Sequence, residues 1–255
     1  MPRRYWVGTS GWVYDHWRRL FYPPELKQRE WFAYYARHFA TVEINNTFYR
    51  LPKERAWEHW RAQAPRGFRY AVKASRFITH VQRLKESAES LHRFLEGARL
   101  LEEKLGPVLF QLPPGFHCTE ENRQRLEAFL PLLPRDLQHV FEFRHASWFL
   151  PATYDLLRGY NAAFCCFHAV KLDCPLLATA DFAYMRFHGP EARYAGDYSG
   201  EELRSWALRL RALGEGLGDV HVYFNNDYNA YAIGNARTLA ETLGGEACSS
   251  LPRRP

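Results

Sequence analysis

The chain has 255 residues, of which 47% are hydrophobic, 24% charged and 16% aromatic, with a formal net charge of +6. That length can bury a core unaided, and the ring-rich, mixed composition excludes disorder, collagen-like repeats and coiled coil. No apolar run approaches about 18 residues, and the opening Met-Pro-Arg-Arg-Tyr-Trp lacks an apolar signal core, so the expectation is a cytoplasmic protein with no membrane partner.

Arg3, Arg4, Arg253 and Arg254 supply four of the six net charges from the two tails, so the body is only weakly basic. Basic residues are 28 Arg against 6 Lys, a bias that genome composition or charge networks explain as readily as nucleic-acid binding. The five cysteines, Cys118, Cys165, Cys166, Cys174 and Cys248, form no C-x-x-C pair, which points to reduced thiols and neither zinc nor disulfides.

In chain order, short β-rich apolar runs alternate with longer helical stretches. Strands are predicted at Tyr5 to Gly8, Thr41 to Asn45, Phe68 to Lys73, Val108 to Leu112, Val140 to Arg144, Ala163 to Phe167, Ala183 to His188 and Val220 to Asn225. Helices are predicted at 29–39, 54–64, 85–104, 119–132, 148–159, 201–213 and 229–243, with Ser199 and Glu202 forming a capping box ahead of the sixth. The interval from His168 to Phe182 is too short and Pro-broken for a full helix, so the crossover between strands 6 and 7 is abbreviated. Eight such units suit a TIM-barrel-like (β/α)₈ barrel, and the first strand is not followed by the G-x-G-x-x-G of a doubly wound sheet. With no linker or composition break, residues 1–255 read as a single domain with a core of about 5–243.

A two-residue period separates the faces of each strand. Val42 and Ile44, Phe141 and Phe143, Met185 and Phe187, and Val222 and Phe224 make an outward apolar set. The opposite parity holds Glu43 and Asn45, Glu142 and Arg144, Arg186 and His188, and Tyr223 and Asn225, with Lys73 in phase with Ala71. These polar residues point inward at C-terminal strand ends, where barrel enzymes build their sites, and so many charges argue for a wet mouth over a dry core.

Individual roles stay open. Glu142 and Arg144, about 7 Å apart on one strand face, suit an intra-strand ion pair or a site. Lys73 suits an anion-binding ammonium, a desolvated amine able to form a Schiff base, or an ion pair to Glu43. Asn45-Asn46 and Asn225-Asn226 combine turn chemistry with substrate orientation. Thr9-Ser10-Gly11-Trp12 and His188-Gly189-Pro190 could cradle an anion. Trp12, Tyr14, Trp17, Phe48, Tyr49, Trp148, Tyr194 and Tyr198 either stack on a ligand or anchor loops. Glu43, Glu142, His188 and Asp227 have metal-ligand chemistry but no diagnostic spacing, and Arg144, Arg186 and Lys73 would repel a cation, so no metal or cofactor is expected.

Seven ordered segments, Val-Gly-Thr-Ser-Gly-Trp, Val-Glu-Ile-Asn-Asn-Thr-Phe-Tyr, Val-Lys-Ala-Ser-Arg-Phe-Ile-Thr-His, Phe-Gln-Leu-Pro-Pro, Phe-Glu-Phe-Arg-His-Ala-Ser-Trp, Arg-Phe-His-Gly and Tyr-Phe-Asn-Asn-Asp, resemble the YecE-like family, domain-of-unknown-function family seventy-two. The resemblance implies a TIM-barrel-like fold in a soluble bacterial or archaeal protein, and it brings no settled activity. By analogy of fold alone, sugar isomerases and barrel endonucleases suggest a sugar-phosphate or nucleic-acid substrate.

The residues themselves give a leading expectation, a barrel enzyme binding a phosphate- or carboxylate-bearing small molecule at the mouth. Arg144 and Arg186 would fork onto the anion beside Lys73, Glu43 or Glu142 would move a proton, and His188 would act as acid or base. Asn45, Gln111, Asn225, Asn226, Trp12 and Tyr49 would contact the substrate. The alternative is a non-catalytic or nuclease-like nucleic-acid-binding protein using the same basic, aromatic-rimmed mouth.

Overall fold

In the computed structural model, which describes residues 3–191 and 195–244, eight parallel strands form one sheet in the order β1-β8-β7-β6-β5-β4-β3-β2. They are β1 (Arg4–Thr9), β2 (Thr41–Ile44), β3 (Arg69–Lys73), β4 (Leu105–Gln111), β5 (His139–Glu142), β6 (Ala162–His168), β7 (Phe182–Phe187) and β8 (Asp219–Phe224). The ends of that order meet through a parallel bridge between Ser10 and Glu43, making a nearly closed (β/α)₈ barrel. A Cβ at Gly8 would lie 2.4 Å from the Thr41 carbonyl oxygen, so β1 and β2 approach this closely because Gly8 has no side chain. The Tyr35 hydroxyl braces the same seam, donating to the Thr41 carbonyl at 3.1 Å and accepting from the Thr9 amide at 3.0 Å.

The helices are α1 (Trp31–Tyr35), α2 (Asn46–Tyr49), α3 (Glu54–Gln63), α4 (Ala88–Arg99), α5 (Glu120–Phe129), α6 (Pro151–Gly159), α7 (Gly200–Leu213) and α8 (Tyr231–Leu243). The capping box starts α7 as expected: the Ser199 hydroxyl accepts from the Glu202 amide and the Glu202 carboxylate from the Ser199 amide. No helix fills the crossover from β6 to β7; instead Thr179 accepts from the Phe164 amide at 2.7 Å and donates to the Ala162 carbonyl at 2.6 Å. Several expected helices are shorter than their apolar periodicity suggested, the fourth ending at Phe129 and the fifth beginning at Pro151. The first is reduced to α1 behind a 3₁₀ turn at Gln28–Glu30, and the third begins only at Ala88 because Phe77–Val81 forms a π-turn and Arg83, Leu84 and Glu86 take positive φ.

The strand parity holds. Val42, Ile44, Phe141, Phe143, Met185, Phe187, Val222 and Phe224 pack in the layer between barrel and helices, while Ala71, Leu109, Val140, Ala163, Cys165, Phe182, Tyr184 and Tyr223 fill the axis. Strands β2, β5, β7 and β8 end one or two residues earlier than expected, so Asn45, Arg144, His188 and Asn225 stand just beyond them, while β3 ends at Lys73 as expected and β1 and β6 run one residue further. Tyr194, Cys248, Arg253 and Arg254 lie outside the described residues.

A candidate active site at the barrel mouth

Above the apolar axis lies a layer of paired charges. Arg186, ending the inward face of β7 and 1% exposed, sends Nη2 to Glu43 at 2.8 Å and Nη1 to Glu142 at 2.7 Å. Glu43 also accepts from Ser10 Oγ at 2.9 Å and Tyr184 OH at 2.7 Å. Glu142 pairs in addition with Arg144 Nε through its other oxygen. His188 Nε2 sits 3.3 Å from that oxygen and 2.9 Å from Arg144 Nη2, while its Nδ1 faces the Asn225 amide nitrogen at 3.3 Å. Two carboxylates and two guanidiniums thus close a neutral plug across the barrel, which is how charge survives burial.

The plug fixes proton affinities. Burial pushes the Glu142 carboxyl up, but Arg144 and Arg186 outweigh it and hold it well below the usual carboxylate range. Burial opposes charge on Arg186 as well, yet Glu43 and Glu142 hold its guanidinium firmly protonated. Desolvation, reinforced by Arg144, drives His188 down to about 3, so the imidazole is neutral near pH 7.

Over the plug opens a cavity of about 300 Å³ lined by Trp12, Tyr14, Asn45, Tyr49, Lys73, Arg186, Asn225 and Asp227, among others. Lys73 ends β3, and α2 shapes its surroundings: the Thr47 hydroxyl donates to the Lys73 carbonyl at 2.5 Å, which carries the Phe48 ring to 4.1 Å from the ammonium. Among the described residues the Lys73 Nζ has neither ion pair nor hydrogen bond, so the suggested pair with Glu43 does not form. Glu43 is already engaged by Arg186. Burial and the nearby Arg186 lower Lys73 from 10.5 to about 7, despite the opposing pull of Glu142 and Glu43. Asn45 contributes a buried Oδ1 with no hydrogen-bond partner among the described residues. On the far side stands Asp227, raised above the ordinary carboxyl value mainly by burial.

The structure gathers most of the sequence-selected residues, but it reassigns several. Arg186 lines the cavity, yet both terminal nitrogens are committed to carboxylates, so the expected fork onto a ligand anion is replaced by a structural double pair. Arg144 is likewise tied to Glu142, the intra-strand pair left open by spacing. Glu43 and Glu142 are fully buried beneath the cavity, Glu43 accepting from Ser10, Tyr184 and Arg186 and Glu142 paired with Arg186 and Arg144, and a neutral His188 has no proton to give as an imidazolium acid. Gln111 turns its amide to the Leu112 carbonyl at 2.6 Å, and Asn226 bonds Gly196 and Asn235; neither lines the cavity. Trp12, Tyr14 and Tyr49 do line it, whereas Trp17, Trp148 and Tyr198 are buried loop anchors. Asp227 entered the sequence reading only as a metal-ligand type. Its position two residues past Asn225, in a loop closing over the mouth, was the signal for a cavity role. Among the described residues, no group of three or more His, Cys, Asp or Glu is arranged to hold a metal, and no helix is long and apolar enough to cross a membrane.

Fold and site together define a (β/α)₈ barrel with a polar cavity at the C-terminal strand ends, seated on an internal plug of paired charges. The chain belongs to the family described as Protein of unknown function DUF72, whose model matches residues 6–255. It is 29% identical over 280 residues to UPF0759 protein YunF of Bacillus subtilis (strain 168), spanning 98% of this chain and 98% of that protein. It is also 32% identical over 144 residues to UPF0759 protein YecE of Escherichia coli (strain K12), covering 56% of this chain and 50% of that one. The crystal structure of a DUF72 family protein from Thermotoga maritima MSB8 matches with a TM-score of 0.86 at 31% identity, over 94% of this chain and 98% of that chain. A DUF72 family protein from Enterococcus faecalis V583 shares the fold, with a TM-score of 0.82 at 22% identity over 94% and 95% of the two chains. The resemblance read from the seven sequence segments is therefore the correct family.

Proposed function

We propose that this protein is an enzyme acting on a small anionic molecule, carrying a phosphate or carboxylate, bound in the cavity at the barrel mouth. One observation carries the reading: Lys73 alone among the basic side chains of the barrel interior faces the cavity with no acidic partner among the described residues. A half-buried ammonium without an acidic partner carries a desolvation cost that a bound anion offsets. Asn45 on the same lining is a further polar contact for the ligand, and Asp227 is the carboxyl able to exchange a proton. The anion therefore rests on Lys73, with the Arg186 and Arg144 guanidiniums held back by their own carboxylates. Thermal stabilisation by phosphate, sulfate and small phosphorylated or carboxylated sugars, at constant ionic strength, tests this. Wild type should gain several degrees and Lys73→Met should not; equal responses in the two proteins would remove the anion from the cavity.

A second reading, nucleic-acid binding, is favoured by one feature of the rim. Tyr49, Phe77 and Val81 are 74%, 50% and 59% exposed on the loops after β2 and β3, among exposed Arg50, Lys53, Arg76, Arg83 and Lys85. Rings and cations in alternation suit a single strand better than one enclosed metabolite. Affinity for a short oligonucleotide that falls steeply between about 50 and 200 mM salt would support it.

A further inference from the structure

We infer that Lys73 is a covalent catalyst that forms a Schiff base with a carbonyl compound in the cavity. The inference deepens the proposed function and rests on its cavity, adding the substrate's second functional group: an aldehyde or ketone beside the anionic or hydroxyl groups, on a molecule small enough for about 300 Å³.

Three placements carry it. Lys73 stands at the C-terminal end of a central barrel strand, so its backbone is held by parallel pairing to β2 and β4 while its side chain reaches the axis. Its amine meets the Phe48 ring instead of a carboxylate, leaving the nitrogen lone pair unobstructed once the proton is lost. The neighbouring charges are arranged to disfavour that proton. Burial disfavours it most and Arg186 from β7 and Arg144 beyond β5 repel it, outweighing the pull of Glu142 from β5 and Glu43 from β2, each of which is already paired with Arg186. His80, on the turn after β3, is itself depressed by burial and by Lys73 to about 4, so it adds no charge near pH 7. The remaining titratable groups lining the cavity are Asp227, Tyr14 and Tyr49, and Tyr14 is held protonated by burial. With Lys73 near 7, a large share of the amine is neutral and nucleophilic at physiological pH, where an ordinary lysine is almost wholly protonated.

The chemistry balances without any redox partner. The neutral amine adds to the carbonyl carbon, forming a C–N bond and a carbinolamine. Proton transfer to its hydroxyl lets oxygen leave as water, and the nitrogen lone pair completes a protonated imine. Asp227, a carboxyl with raised proton affinity in the same cavity, is the group suited to deliver that proton and to accept it when water later adds back and frees the amine. Between these steps the iminium withdraws electrons from the adjacent carbon, which is the requirement for breaking a C–H or C–C bond there.

The test is reductive trapping. Full-length protein is incubated with pyruvate, glyoxylate or glyceraldehyde 3-phosphate and sodium cyanoborohydride, and adducts are located by peptide mass mapping over all six lysines. The expected result is an adduct on Lys73 forming at least about 10-fold faster than on exposed Lys53 and Lys85, with a rate rising as pH climbs toward and through about 7. Lys73→Arg keeps the cation but offers no amine, so it should retain stabilisation by phosphate while losing the adduct. Asp227→Asn should slow trapping with the adduct still on Lys73. Labelling confined to the exposed lysines overturns the inference. So does phosphate stabilisation in wild type with no Lys73 adduct from any of the three carbonyls, an outcome that leaves the anion site standing. Absence of both signals overturns the site as well.

Discussion

Two layers of charge, one above the other in the same barrel, are treated in opposite ways. In the lower, the buried Arg186, Glu43 and Glu142 and the partly buried Arg144 are paired with one another. In the upper, Lys73, Asn45 and Asp227 line a cavity, Lys73 with no acidic partner among the described residues and Asp227 with His16 at 3.6 Å. A buried ion is tolerated when its partner is fixed at hydrogen-bond distance, and for Glu142 and Arg186 the partners hold the charged forms firmly in place. A group denied its partner is poised near neutrality instead, at an energetic cost. The plug is thus the floor that makes the cavity electrostatically unusual, and the two layers should respond differently to substitution.

The largest effect falls on the plug. Arg186→Met strands Glu43 and Glu142 in the barrel and should cost about 3–5 kcal/mol, read as a lowered midpoint in urea unfolding. A loss below about 1 kcal/mol would mean the carboxylates find other partners and the layers are not distinct. Next comes acid. The folded Glu142 value lies well below the unfolded carboxyl value near 4.3, so its contribution is fully present above that pH and drains away as pH falls below it. Glu142→Gln should unfold with a flatter pH dependence in that acid window; an unchanged slope would remove Glu142 from the account.

The cavity layer should move the other way. Lys73 has a folded value of about 7 against 10.5 unfolded, so between those limits the unfolded chain holds a proton that the folded protein lacks, and stability rises with pH across the window. Lys73→Met should abolish that rise and leave the protein at least as stable as wild type near neutrality. A clear destabilisation would show that Lys73 has a structural partner. Phosphate stabilisation of wild type should weaken as pH climbs through about 7, the reverse of the trapping rate, because one needs the ammonium and the other the amine. The smallest effect is expected at the rim: Tyr49→Ala, at an exposed position, should change folding stability by less than about 0.5 kcal/mol while lowering affinity for any ligand that reaches the cavity entrance.

How much of this could be read from the sequence differs by residue. The alternation around Glu43, Glu142 and Arg186 told that these side chains share the barrel interior, because strand geometry gives each residue a face from its nearest neighbours alone. It also placed Lys73 at a strand end in phase with Ala71. It could not tell that α2 would swing Phe48 under the ammonium, since a four-residue helix has almost no intrinsic stability and exists here through the Thr47 bond to the end of β3. Nor could it rank the four barrel cations and carboxylates by who pairs with whom. Arg144 and Arg186 looked like ligand forks only while their partners were unknown.

The sequence by itself determined the eight-fold repeat, the inward and outward faces, the missing crossover helix and the family. All of these are carried by local periodicity, turn residues and ordered motifs. Only the tertiary structure decided which charges cancel and which stays open. Pairing energy depends on ångström-scale distances between residues such as Glu43 and Arg186, 143 positions apart, and those are set when the barrel closes.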